Sequence, residues 1–384
     1  LALKKSNYHI SILEKTNKLL AKVKISGGGR CNVTHRCFEN TELVKNYPRG
    51  SKELLQVFSK FNVQHTIDWF KTQGVVLKTE EDGRMFPHSN SSETIVNCFL
   101  NLAQQLNIDV ITQCEVLDIK KEGELFHLNT TKENFQANTI ICAIGGHNKT
   151  QAYQTLKNLG HTIHNPVPSL FTLNLPNEPI KKELQGISVQ LAEIKVVNSK
   201  LNYSGPILIT HWGLSGPAVL KLSAFAAIDF FNMNYQANVA VNWAHPLKVH
   251  EIETQLKQLQ KDKHKALPHS KPLLNLPKRL WEYLCMQAEI NNKKPWAEIS
   301  HKNLKQLAEK IGNNQFKMEG KTTFKDEFVT SGGVDLKEID FKTMQSKLIP
   351  GLFFCGEVLN IDGLTGGFNF QNAWSTAWIC ADSC

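Results

Sequence analysis

Three glycine-rich turns, each beside a short apolar run, constrain this chain more than any other feature. They are Ser26-Gly27-Gly28-Gly29-Arg30-Cys31-Asn32, Thr139–Gly146 (TIICAIGG) and Pro350–Glu357 (PGLFFCGE). The last is followed by Asp362–Asn369 (DGLTGGFN). Consecutive glycines let a backbone come close to a ligand and expose several N–H donors. A β-branched strand ending in Gly-Gly is how an α/β sheet delivers its backbone to a cofactor at its carboxyl edge. A strand ending in Gly-Glu offers a carboxylate to sugar or ribityl hydroxyls. The Gly-Gly turn after it starts a helix, whose N-terminus stabilises negative charge. Taken alone, each turn would also serve as a surface loop, a strand exit or a helix cap. The length of the third pattern weighs against that.

Around these turns, strand and helix patterns alternate as in an α/β domain with a parallel sheet. Leu1–Lys5 reads as the end of a helix already under way, and His9–Glu14 (HISILE) as a buried strand ending in an acid. Glu53–Phe70 and Ser92–Leu106 have helical periodicity. Asp109–Ile119 alternates like a strand, and TIICAIGG reads as a buried strand. The texture changes at Asn165–Pro168. Ser169–Leu222 is strand-rich, and Val249–Leu259, Pro277–Glu289 and Asn303–Ile311 look helical. Phe328–Val334 and Leu348–Glu357 return to buried-strand texture. The expected organisation is a first domain over 1–164, an insertion over 165–325 (β-rich 165–245, helical 246–316), and a return to the first domain over 326–384.

With 384 residues, 41% hydrophobic and 21% charged, the chain is an ordinary globular protein of two or three domains, which excludes disorder. No apolar run of about 18 residues exists, which excludes a spanning helix and argues against a membrane partner. The nine cysteines are odd in number and form no C-x-x-C. That pattern fits reduced thiols in a cytoplasmic protein, without a disulfide framework, zinc ribbon or metal. The net charge of +9 raises a nucleic-acid partner. Only five of the 44 cations are Arg, and the lysines are dispersed and often beside acids, so a nucleic-acid partner is disfavoured.

Glu14, at the end of the early strand, occupies the place where dinucleotide-binding folds put an acid on the adenosine ribose. The usual G-x-G-x-x-G should lie about 20 residues before it, ahead of Leu1. The chain as written is therefore expected to bind a dinucleotide cofactor weakly, and some 20–30 further N-terminal residues to restore binding. Cys31, beside Arg30, is a candidate thiolate. His35 and His211 are candidate proton donors, although a structural role is the commoner one for a lone His. Gly216-Pro217 should open a helix.

Five segments together resemble one known family: SGGGRCNVTH, GRMFPHS, GPILITHWGLSGPAVLKLS, TSGGVDLKEID and TMQSKLIPGLFFCGEVLNIDGLTGGFNFQNAW. They are similar to the bacterial HI0933-like (BaiN-like) NAD(P)/FAD-dependent oxidoreductases, over nearly the whole chain. The resemblance implies an α/β, Rossmann-like flavoprotein with two dinucleotide-binding domains. An inserted β-barrel-like domain and a helical subdomain would interrupt it.

The resemblance also implies roles. Glu14 would bind the ribose. Gly27, Gly28, Gly29, Arg30, Cys31 and Asn32 would line the pyrophosphate and flavin. Val116 would give the backbone contact to adenine, and Gly145 and Gly146 would pass beneath the cofactor. Gly356 and Glu357 would clamp the ribityl chain. Gly366, Gly367, Phe368 and Asn369 would start the helix at the flavin pyrimidine edge. FAD would be the cofactor and NAD(P)H the co-substrate, with hydride passing through flavin to a small organic acceptor. An RNA-modifying or RNA-binding flavoprotein, and a non-catalytic fragment, are the competing readings.

Overall fold

The computed structural model describes residues 8–323 and 329–384. The helix end expected over Leu1–Lys5, and Phe328 of the expected strand, lie outside the described residues. Two compact units divide the chain: Leu1–Pro168 with Lys325–Cys384, and Ser169–Phe324.

In the first unit the elements that frame the glycine turns are β1 (Ser11–Leu13), α1 (Ala21–Gly29), β2 (Thr34–His35), β3 (Leu77–Thr79), β4 (Arg84–Pro87), β5 (Asp109–Ile111), β6 (Val116–Glu122), β7 (Ile140–Cys142), β8 (Leu352–Phe354) and α2 (Phe368–Ser383). β1 pairs in parallel with β5, Ile12 opposite Val110. β7 pairs in parallel with β8, Ile141 opposite Phe353. β2, β4 and β3 form a small antiparallel sheet, and β6 begins an antiparallel meander.

Helices cover these strands with apolar faces at helical spacing. Leu54, Val57 and Phe58 are the buried residues of Ser51–Lys60, and Ile95 and Val96 those of Glu93–Gln105. Val23, Val33, Phe70, Ile95 and Val96 form one core cluster, with Trp69, Phe99 and Trp374 packed against it. Phe99 stacks on both Trp69 and Trp374.

Two expectations are corrected here. The strands at His9–Glu14 and TIICAIGG were expected to be buried, yet Ile12 is 46% and Ile141 37% exposed. The reason is pairing: among the described residues, β1 is bonded only to β5, and β7 only to β8, so each has one open edge. Among the described residues the parallel strands pair in two separate places, β1 with β5 and β7 with β8, and the second pair ends a four-stranded sheet completed by Gln345–Ser346 and Ile339–Asp340.

The second unit is built on a seven-stranded antiparallel sheet. Its order is Asn314–Glu319, Gln236–Asn242, Ser188–Val196, Asn202–Ile209, Gly213–Ser215, Thr172–Asn174 and Lys321–Thr322. Among the described residues this is a sheet rather than a closed barrel, which corrects the barrel-like expectation. Its two end strands are nevertheless consecutive pieces of one segment that turns at Gly320 (φ 91°). The helix Pro217–Phe225 starts with Pro in its first turn after Gly216, as the sequence implies. The short helix Ala227–Asn232 follows it, and after the strand Gln236–Asn242 come Val249–Asp262, Lys278–Gln287 and His301–Gly312. Leu304, Leu307, Ala308 and Ile311 form the buried stripe of the last, at a period close to 3.6. Among the described residues, no helix is long and apolar enough to cross a membrane.

Candidate cofactor site

The first glycine turn is the broken end of α1. Helical geometry stops at Ser26 (ψ 148°), and Gly27, Gly28 and Gly29 take φ of 57°, 69° and 82°. Three consecutive left-handed residues are steeply unfavourable for side chains with a Cβ, which accounts for the glycine run. A Cβ on Gly28 or Gly29 would meet nothing within 4 Å, so this backbone faces open space, whereas one on Gly27 would lie 2.9 Å from the Phe86 ring.

Asn32 ties this turn to the third one. With its amide oriented to satisfy both neighbours, it donates to the Thr34 carbonyl at 3.1 Å and accepts from the Gly367 N–H at 3.0 Å. Gly367 (φ 94°) lies so close to Thr34 that a Cβ would sit 2.6 Å from its carbonyl. The Trp374 indole N–H donates to the Val33 carbonyl at 3.0 Å, and buried Gln371 accepts from Thr34 Oγ1 at 2.6 Å. His35 stacks on Phe368 at 4.8 Å between ring centres.

The second turn meets the third through α1. Lys22 Nζ donates to Glu357 Oε2 at 2.8 Å and to the Gly146 carbonyl at 3.4 Å. Gly145 (φ 78°) and Gly146 leave β7 at this point, and a Cβ on Gly146 would lie 3.4 Å from that of Glu357. Gly356 (φ 74°) is fixed by its N–H on Thr376 Oγ1 at 2.9 Å. Lys22 was not among the residues expected here. A lysine inside a helix carries no local signal of a partner 335 positions away.

Glu14 directly follows β1 and accepts from the Thr16 N–H and hydroxyl through one carboxylate oxygen, at 2.7 and 2.8 Å. Its carbonyl accepts from the Cys114 N–H, and Lys15 pairs with Glu115 at 2.6 Å, which brings the start of β6 and Val116 beside it. Burial lowers the pKa of His147, next to Gly146, and the charges of Lys22 and Lys15 lower it further.

Some predicted side chains serve other partners. Arg30 Nη1 pairs with Glu80 at 2.5 Å, and its guanidinium lies 4.0 Å over the Phe86 ring. Glu80 also takes Arg84 at 3.3 Å. The Cys31 thiol is fully buried and pushed up to about 11 by that burial, which corrects the thiolate expectation. The Asn369 amide closes the Gly363 turn, accepting from its N–H at 2.7 Å and donating to its carbonyl at 2.9 Å. His211 lies in the second unit, against Trp212. One further tie was not foreseen. Arg49 makes a forked ion pair with Asp362, whose side chain is 1% exposed, directly before that turn.

These residues fit a flavin dinucleotide on two observations. Gly28 and Gly29 offer bare backbone to open space. Three buried polar atoms, His35 Nδ1 and both amide atoms of Asn372, have no hydrogen-bond partner among the described residues. A parallel strand pair that runs into the Gly145–Gly146 and Gly356 turns, with a long helix begun at Gly366-Gly367, defines an α/β nucleotide-binding protein.

The chain belongs to the family described as HI0933-like protein Rossmann domain, matched over residues 1–383. It is a flavin oxidoreductase of that family, with an FAD-binding type of fold. It is 29% identical to a ribosomal RNA dihydrouridine synthase of Haemophilus influenzae and 27% identical to one of Escherichia coli. Each match covers 97% of this chain and 91% of the relative. It is 22% identical to a 3-dehydro-bile acid delta(4,6)-reductase of Clostridium scindens, over 96% of this chain and 91% of that one.

Proposed function

We propose that this protein takes hydride from NADH or NADPH through FAD and delivers it to a carbon–carbon double bond conjugated with a carbonyl, with uridine in ribosomal RNA as the acceptor. The observation that carries the reading is the chemistry shared by relatives that span almost the whole chain. Dihydrouridine is uridine with its ring double bond saturated, next to a carbonyl. A delta(4,6)-reductase acting on a 3-oxo steroid saturates the same kind of bond. The two RNA-directed relatives are also the more similar, at 27% and 29% against 22%. In this reading residues 1–164 and 326–384 hold the cofactor, and 165–325 recognise the substrate.

Bound FAD supplies hydride transfer; the protein supplies binding, orientation and electrostatics. Gly27–Gly29 present N–H groups to the pyrophosphate, and the Glu14 carboxylate takes the ribose. Glu357 exchanges its bond with Lys22 for ribityl hydroxyls. Gly366–Asn369, at the start of a 16-residue helix, place N–H dipoles at the flavin ring. His35 is the proton-handling group. Burial lowers its pKa, its Nε2–H donates to the Asp82 carbonyl at 3.1 Å, and the unpartnered Nδ1 is left as a proton acceptor.

The test is anaerobic mixing of FAD-loaded protein with NADH or NADPH, then with unmodified ribosomal RNA or a steroid enone. Bleaching by one nucleotide, reoxidation by RNA, and a gain of two hydrogens on uridine by mass spectrometry are expected. Failure of both nucleotides to bleach the flavin sinks the reductase reading. Reoxidation by the enone alone sinks the RNA reading.

A further inference from the structure

The positive charge of this chain is concentrated in one segment. Residues 246–316 hold 13 of the 44 Lys and Arg but only seven of the 35 Asp and Glu, so +6 of the net +9 falls there. Lysines that look dispersed along the sequence are therefore unevenly balanced by acids. Six of them, Lys261, Lys263, Lys265, Lys293, Lys294 and Lys302, are exposed and make no ion pair among the described residues. In the other unit, Lys15, Lys22, Lys24 and Arg30 are each paired with a carboxylate.

Backbone bonds join these lysines into one surface. The Ala297 N–H donates to the His264 carbonyl at 3.0 Å, and the Trp296 N–H to the Ala266 carbonyl at 2.9 Å. Gln260 Nε2 reaches the carbonyls of Trp296 and Ile299 at 2.9 and 2.7 Å. The turn after Val249–Asp262, the Lys293–Lys294 turn and the start of His301–Gly312 are thus held side by side, with buried Trp296 beneath them. Two exposed acids, Asp262 and Glu298, lie in the same segments and leave the excess positive. Like charges held together repel. A phosphate chain relieves that repulsion and releases counterions. Lysine suits this role because it meets phosphate as a point charge, without reading a base.

We propose that this lysine face docks the phosphate backbone of RNA and supplies the affinity for the ribosomal substrate. The proposal rests on the reading that uridine in ribosomal RNA is the acceptor.

The test uses the full-length holoprotein and a variant carrying Lys261→Gln, Lys263→Gln, Lys265→Gln, Lys293→Gln and Lys294→Gln. Binding to a ribosomal RNA fragment is followed by fluorescence anisotropy from about 50 to 200 mM salt, a range that resolves counterion release. The variant should bind on the order of 100-fold more weakly, with a salt slope smaller by about 3–4. Its flavin spectrum and its bleaching by nucleotide should match the parent, and five Lys→Arg replacements should retain binding. If the parent binds RNA and the Gln variant binds equally well with the same slope, the face is wrongly assigned and the acceptor reading stands. If the parent does not bind RNA even at low salt, the acceptor reading falls and the face with it. If anionic phospholipid vesicles bind as tightly as RNA, and lose binding equally in the variant, the face serves a membrane surface instead.

Discussion

In the inserted unit, strand Ser188–Val196 runs nine residues and is paired on both sides, by Asn202–Ile209 and by Gln236–Asn242. In the cofactor unit, Ser11–Leu13 and Ile140–Cys142 run three residues each and are paired on one side among the described residues. The difference extends to what is buried. The core of the insert is almost wholly apolar, from Phe171 to Met318. The helix at the cofactor turns instead buries Gln371, Asn372, Ser375 and Thr376. Long, doubly paired strands over an apolar core make the insert stable on its own terms. The cofactor unit spends its strand ends and polar side chains on shaping a site.

The largest expected effect lies in the insert. Trp281 is fully buried, and its indole N–H donates to the Pro268 carbonyl at 2.9 Å. Trp281→Ala should cost about 3–5 kcal/mol. Calorimetry should show the loss in the insert's transition, with flavin affinity little changed. An equal loss of flavin affinity would break the contrast between the units.

Gly367→Ala comes next. Both its φ of 94° and the 2.6 Å approach of a Cβ to Thr34 oppose any side chain. Strain of about 1–3 kcal/mol is expected from the backbone alone. The clash adds to it, and flavin loading should fall with thermal stability.

Glu357→Ala should weaken FAD binding roughly tenfold or more while leaving the fold intact. A carboxylate accepting hydroxyl bonds contributes about 1.5–3 kcal/mol. Titration of apo-protein with FAD measures this, and an unchanged dissociation constant rejects the ribityl assignment.

Lys22→Gln should be the mildest. Its ammonium is largely exposed, and surface pairs of this kind contribute about 0.2–1 kcal/mol. Removing it frees Glu357 for a ligand, so flavin affinity should hold or rise slightly. A severe loss would make Lys22 a direct cofactor ligand.

Much of this arrangement is legible in the sequence. Gly145, Gly366 and Gly367 are marked because their positive φ disfavours any residue with a Cβ. The helices near Val249, Pro277 and Asn303 are marked by their apolar spacing. Side-chain partnerships are not legible in this way. Arg30 after three glycines reads as a ligand contact, and nothing near it in the sequence signals its ion pair with Glu80, on a hairpin 50 residues away. Cys31 beside Arg30 looks acidified, but burial raises its pKa and outweighs the lowering by its hydrogen bond with Ser26. The apolar run at Ile140–Cys142 reads as buried because composition cannot say how many neighbours a strand has. The charge asymmetry was legible in principle. It emerges when lysines are counted against acids segment by segment, and is hidden when they are judged over the whole chain.

The three-residue strand pairs of the cofactor unit also decide how this protein responds to its cofactor supply. A short pair held by few backbone bonds opens locally at far less free energy than the whole unit. Amide protons at Ile12 and Ile141 should therefore exchange with solvent well ahead of those in Ser188–Val196. A ligand that binds only the closed form stabilises it in proportion to the logarithm of its concentration over its dissociation constant. The resistance of this unit to proteolysis then becomes a readout of free FAD, while that of the insert stays fixed.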